Sequence, residues 1–448
     1  MDDSIIMNNN NDDDDDNNTI EHSDEIVSDI ISLIHSTTHS SYVICSQLSS
    51  KLISYLSQIH MNDNQWHDLE KAVERFDQSI DHPDLRRFRQ LIETISICSN
   101  DCEERNYTLG RDANTLFESI CQLQELLQSH VNLHCTLLSK LIEQQDIQLR
   151  LIDVMNLTGM NVGNQIHGIL CDIVHLLCQI NRTFSVTNVI DHPIVSNCIR
   201  IIQTSINSIC STVVLKIFSG DNAKPTVIFA LRLLTDLLLT NESFPVHVYG
   251  QLSNCVFLKS IFDLIENSGE DNELILTAVK FILSFNLRFD YPHENPIMLT
   301  LLAVNEQISC RELIERLILL FNRSVDPIEC KTTNSIIKFF SDLFGDQATT
   351  SDALLYDSDR RLIVEIISRE LSDRSITDEA TTTYLSLLEL ILRSQSITSE
   401  TCTRIDELQT SFRAHLYAEN CLKQNRFIIN EILRQHCWLS TNDMPFYL

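Results

Sequence analysis

Glycine and proline are scarce in this sequence, with 8 of each among 448 residues. Average usage would supply about three times that share. Sheets, sandwiches and barrels need turn residues every few strands, so the shortage argues against them. Long helices joined by short polar links remain. Positive charge is short as well. Lysine and arginine total 33 against 62 acidic side chains, a formal net charge of −29. Nucleic-acid binders draw affinity from cations that displace counterions, and this balance repels a phosphate backbone. It equally disfavours an anionic membrane surface. A basic protein surface is the more natural partner.

Other signals are missing too. The opening Met1-Asp2-Asp3-Ser4 has no basic region followed by an apolar stretch, so no signal peptide is expected. No apolar run reaches the roughly 18 residues needed to span a bilayer, so no membrane insertion is expected. The 15 cysteines form no Cys-x-x-Cys pair and no regular framework. Reduced thiols in a cytoplasmic protein are the resulting expectation. There is no glycine-rich phosphate loop, Gly-x-Ser-x-Gly elbow or His-Glu-x-x-His helix. The acidic run Asp12–Asp16 lacks the glycine turn and terminal Glu of a calcium loop. No catalytic residue, cofactor or metal is therefore assigned, and the chain is not read as an enzyme.

What is present is helical periodicity behind an acidic start. Residues 1–22, rich in Asn and Asp, bury too little apolar surface to fold and are expected to be a disordered tail. Residues 1–60 hold eleven carboxylates and one lysine, Lys51. A helical region is expected over 23–110, a leucine-rich armadillo-like domain over 111–440, and a short tail over 441–448. Ile26, Ile30, Leu33 and Ile34 fall on one helical stripe. Similar stripes centre near Leu48–Leu56, Leu85–Ile97, Leu116–Leu127, Val131–Leu151, Ile169–Ile180, Ile199–Ile217, Val227–Leu239, Val256–Ile265 and Leu274–Leu287.

The C-terminal third is the most legible. Ser309-Cys310-Arg311-Glu312 fits a capping box, followed by Leu313, Ile314, Leu317, Leu320 and Phe321 on one face. A helix follows over Ser335–Phe344. Asp357-Ser358-Asp359 offers an N-cap, with Leu362, Ile363, Ile366, Ile367 and Leu371 as the buried stripe behind it. Thr377 can cap the next helix, whose inner residues are Tyr384, Leu385, Leu388, Ile391 and Leu392. The last two helices are expected near Thr403–Tyr417 and Cys421–His436. Roughly fourteen to sixteen such helices with short links imply an all-α, armadillo/HEAT-like helical-repeat solenoid.

Two groups of residues invite a chemical reading. Cys171, His175 and Cys178 share a helix face and could be zinc ligands, yet they alternate with Ile173, Val174, Leu176 and Leu177, so core packing explains them. Trp66 and Trp438 could anchor a partner, but Trp438 more simply packs the terminal helix.

From about Phe281 onward the chain resembles the leucine-rich domain of the WISH/DIP family, the NCK-interacting proteins with an SH3 domain. The resemblance rests on Ser284-Phe285-Asn286-Leu287, Asn295-Pro296-Ile297-Met298, and Leu317–Phe321 running into Asn322-Arg323-Ser324-Val325-Asp326-Pro327. It continues through Ile337–Gly345, Tyr356–Asp359 with Leu362–Ile366, Arg369–Asp373, Tyr384–Leu387 and Arg404–Gln409. It implies an armadillo-like domain that binds the actin-related protein 2/3 complex and activates it without a preformed filament, so that linear actin filaments are nucleated. Actin is then an indirect partner, and cortical actin or endocytic patches are the expected location. With no SH3 domain or proline-rich segment, the chain looks like a domain-only form. Polar loop and cap residues of the matching stretch are the candidate contacts: Asn322, Arg323, Asp326, Asp357, Asp359, Arg360 and Arg361. Arg323 and Asp326 could equally tie their own loop, and Asp357 could simply cap its helix. The alternative reading is a helical-repeat adaptor for some other protein.

Overall fold

The computed structural model describes residues 12–59, 64–79, 82–105, 110–132, 136–160, 162–210, 223–240, 242–269, 271–304, 310–324, 326–328, 334–345, 354–393 and 397–440. Among them there is no strand, and the fold is all-α. No helix among the described residues is long and apolar enough to cross a membrane. The chain divides into two compact units, Met1–Asn197 and Cys198–Leu448.

The first unit begins with α1 (Asp12–Thr38), α2 (Tyr42–Ile59) and α3 (Asn64–Asp77), which pack on one another. Val27, Ile31, Cys45, Ile53, Ala72 and Val73 form their core, with Trp66 against it. Helix α1 thus begins at Asp12, inside the stretch expected as a tail, while residues 1–11 lie outside the described residues. Nucleation is the costly step in helix formation, and the stripe from Ile26 supplies it. Extension toward the N-terminus then costs little, because acidic residues suit a helix start. Next come α4 (Pro83–Arg105), α5 (Gly110–Asn132), α6 (Thr136–Ile142), α7 (Gln145–Asn156), α8 (Asn164–Ile180) and the single turn α9 (Arg182–Phe184). Helix α4 packs on α5 and α7, and α8 packs on α5 and α7. The expected border at 110/111 falls inside α5, after its first residue, and α5 packs on α4. The single stripe read over Val131–Leu151 is three pieces, the end of α5, then α6 and α7. Helix α10 (Ile194–Cys210) spans the division between the units.

The second unit contains α11 (Ala223–Leu238), α12 (Val246–Leu252), α13 (Cys255–Asn267), α14 (Asn272–Asn286), α15 (Pro296–Val304), α16 (Arg311–Asn322) and α17 (Ser335–Gly345). It ends with α18 (Asp357–Asp373), α19 (Ala380–Leu392), α20 (Ile405–Tyr417) and α21 (Lys423–Gln435). These form two layers. In one, α11, α14, α17, α19 and α21 follow one another side by side. In the other, α13, α16, α18 and α20 do the same. Each helix of the second layer also packs on its successor in the first: α13 on α14, α16 on α17, α18 on α19, and α20 on α21. This is the architecture of stacked helical repeats, in which each repeat buries its apolar face against its neighbours.

Aromatic rings fill the seam between layers. Phe257 and Phe281 meet edge to face at 5.9 Å, and Phe321 touches both Phe340 at 5.7 Å and Tyr384 at 5.9 Å. Asn or Asp before a helix accepts its first free amides, as Asn254 does from Val256 (2.8 Å), Asp271 from Leu274 (3.2 Å) and Asn334 from Ile337 (3.0 Å). Of two expected caps, one lies partly outside the described residues and one is corrected. Ser309 lies outside the described residues, and α16 starts after Cys310 with φ at 44°. Glu312 there pairs with Arg316. The first amide of α19, that of Ala380, is taken by Asp378 at 2.9 Å and not by Thr377.

Candidate functional site

The stretch carrying the resemblance contains two polar clusters, the first largely buried and the second partly so. In the first, the Asn286 side-chain amide donates to Asp342 Oδ2 at 3.0 Å, and Asn295 donates to Asn286 Oδ1 at 2.7 Å. Lys338 Nζ donates to Asp342 Oδ1 at 2.6 Å. Asn295 Oδ1 in turn accepts the amide of Ile297 and so starts α15. Burial raises the Asp342 carboxyl above its usual range, against the pull of Lys338 and the two asparagines. All four polar residues belong to the quoted motifs, and here they join α14, α15 and α17.

The second cluster joins α16 to α18 and α19. Ser324, with φ at 53°, ends α16 in the left-handed conformation and donates its hydroxyl to Glu370. Arg374 Nη2 donates to Glu370 at 3.0 Å and Nη1 to Asp378 at 3.0 Å, with its guanidinium 4.9 Å from the Tyr384 ring centre. Burial alone would lift Glu370, but hydrogen bonds from Ser324 and Arg374 hold it below its ordinary value.

The seven candidate residues separate into three situations. Asp326 is committed internally: it accepts the amides of Ile328 (3.0 Å) and Ser335 (2.8 Å) and the Ser335 hydroxyl, tying its loop to the start of α17. Asn322 is likewise held, since Arg369 donates to its side-chain oxygen and its carbonyl, both at 2.9 Å. Asp359 accepts the Tyr356 amide at 3.0 Å and closes the first turn of α18. Arg360 requires a correction. It is 5% exposed, with its guanidinium 3.8 Å from Asp357, and so belongs to the interior of its unit. The helical turn explains this: position 360 shares the inward face with Ile363, Val364 and Ile367. Arg323, Asp357 and Arg361 are exposed.

Those three exposed residues do not form one patch. Arg311, the first residue of α16, lies 5.3 Å from the ring centre of Tyr356, just before α18. Asn322, at the other end of α16, meets Arg369 late in α18. The two helices therefore run parallel. Asp357 and Arg361 stand at one end of the pair and Arg323 at the other, about 18 Å apart along a twelve-residue helix. Arg311, Tyr356 and Arg369 escaped the sequence reading because their pairings link positions some forty-five residues apart. Only the motif stretches beginning at Tyr356 and Arg369 hinted at them.

Elsewhere, Cys171 and Cys178 are buried, and His175 Nε2 lies 3.2 Å from the Gln179 amide on the same helix. Among the described residues no group of three or more His, Cys, Asp or Glu side chains is placed to hold a metal. The polar groups of the second unit serve to lock helix to helix and leave exposed charge at the helix ends. That defines a helical-repeat protein whose quoted motif residues tie neighbouring helices together. A family model, SPIN90/Ldb17, leucine-rich domain, matches residues 271–408. The match runs from the cap of α14 into α20, takes in both polar clusters, and supports the resemblance to the WISH/DIP family over that stretch.

Proposed function

We propose that this chain binds the actin-related protein 2/3 complex and activates it without a preformed filament, so that linear actin filaments are nucleated. The observation that carries the proposal is the coincidence of the matched segment, 271–408, with the interlocked repeats of the second unit. The role is one of binding, with no catalytic step, in the cytoplasm at cortical actin or endocytic patches. In this reading the partner interconverts between an inactive and an active arrangement. A stiff helical stack that fits the active one better shifts the population by its difference in affinity. A swing from mostly inactive to mostly active takes about 5.5 kcal/mol of differential binding. Arg323, Asp357 and Arg361 are the exposed candidates for contact, at the two ends of α16 and α18.

The test is actin polymerisation with this protein, the complex and monomeric actin, with single filaments imaged. Faster assembly into unbranched filaments is expected. Folded protein that neither binds the complex nor changes the rate overturns the proposal and leaves a helical-repeat adaptor for another partner.

A further inference from the structure

The first unit carries a feature that the family match does not reach. Helix α2 buries Val43, Cys45, Ser46, Ser49 and Ile53 against its neighbours. A second face, about a third of a turn round from the buried one, is also apolar. Leu48, Leu52, Tyr55 and Ile59 are 44%, 46%, 62% and 56% exposed. Their spacing of four, three and four residues is that of the a and d positions of a coiled coil, the seam that receives another helix. Leu33 of α1 is 67% exposed and stands at the same level of the hairpin as Leu48, because the link between α1 and α2 is only His39–Ser41. A single exposed leucine needs no explanation, but a run of four large apolar side chains at seam spacing along one helix marks an interaction site.

Charge decides what fits the seam. Helix α2 contains no carboxylate, and Lys51 beside Leu52 is its one cation. Helix α1 supplies the opposite sign: Glu25 and Asp29 are exposed and fall at i and i+4 ahead of Leu33, on the same helix face. Residues 1–60 carry eleven carboxylates against that one lysine, within a chain of net charge −29. A second copy would bring the same excess of negative charge to the contact. A helix flanked by lysine or arginine gains both the local pairing and the long-range attraction.

We propose that the exposed face of the α1–α2 hairpin is a docking site for a basic amphipathic helix of a partner protein. The seam takes its apolar stripe, and Glu25 and Asp29 meet its cations. This site is independent of the function proposed for the second unit.

Two synthetic helical peptides with the same Leu/Ile seam, one flanked by Lys and the other by Glu, provide the probe, with binding to the full chain followed by fluorescence anisotropy. The Lys-flanked peptide is expected to bind at least tenfold tighter than the Glu-flanked one. Leu52→Glu with Tyr55→Glu should weaken it at least tenfold while the helical circular dichroism is kept. Should that variant unfold, Glu25→Lys with Asp29→Lys, on a purely exposed face, should reverse the preference between the peptides. Equal affinity for both peptides, or undiminished binding by the folded variants, overturns the proposal. So does light scattering that shows a dimer dissolved by Leu52→Glu, because a second copy then occupies the seam.

Discussion

Glu266, at the end of α13, accepts the backbone N–H of Leu313 at 3.2 Å, so the first turn of α16 is capped by a side chain from another helix of its own layer. A helix start leaves amides without intrahelical partners, and they are normally satisfied by a residue close in sequence. Here the satisfaction spans forty-seven residues and ties one repeat to the next. Replacing Glu266 by Ala should cost about 1 kcal/mol, the usual value of a lost cap, and Glu266→Gln should recover most of it. Chemical denaturation of the three proteins measures this.

A larger loss is expected at Asp342. Its carboxylate is the common acceptor of Asn286, Asn295 and Lys338. Asp342→Ala leaves three donors around a void, and truncating one partner of a buried charged pair costs about 3 kcal/mol or more. The thermal midpoint of the second unit should drop well below that of Asp342→Asn, which keeps an acceptor in place.

Charge reversal separates the two neighbouring arginines of α18. Arg360→Glu places a carboxylate in the interior near Asp357 and should destabilise the protein by about 3 kcal/mol. Arg361→Glu alters an exposed side chain and should stay within about 0.5 kcal/mol of the parent. Any change that Arg361→Glu makes in partner binding is then a surface effect.

Acid should weaken the first unit through His130. Burial drives its pKa down to about 4, although the Asp84 carboxylate lies 3.7 Å away. The folded state thus binds fewer protons than the unfolded state, whose histidine titrates near 6.5. The resulting stability is complete above about pH 6.5 and is lost progressively as the pH falls to about 4. Its size is on the order of 3 kcal/mol. His130→Gln should flatten denaturation midpoints measured between those two pH values.

Thiol chemistry should sort the cysteines by depth. Burial, reinforced by Glu266 and Asp263, pushes the Cys310 thiol up to about 12, so its thiolate is scarce at neutral pH. Cys255 and Cys437 are exposed. A thiol reagent under native conditions should label those two and spare Cys310 until the protein unfolds, as mass spectrometry would show.

Periodicity carried most of the second unit. Leu313, Ile314, Leu317 and Phe321 are buried as their spacing predicts, and so are Tyr384, Leu385, Leu388, Ile391 and Leu392. Leu362 departs, being 41% exposed, because the inward face of α18 is defined by Ile363, Ile366 and Ile367 and lies about 100° around the helix from it. Helix α3 escaped because its many charged residues dilute the apolar signal, and α12 because seven residues make barely two turns. The surface was the least legible part. Arg360 and Arg361 are adjacent and chemically identical, and only the turn of the backbone sends one inward. Likewise, nothing local announces that Arg369 will clasp Asn322 or that Glu266 will cap α16.

Each helix of the second unit leans on partners close behind or ahead of it in the chain, with no strong pairing between the first helix and the last. Such contacts span at most about one repeat and not the whole unit, which favours rapid folding. The unit can therefore be laid down one hairpin at a time as it leaves the ribosome, each new pair of coils finding a finished template already waiting.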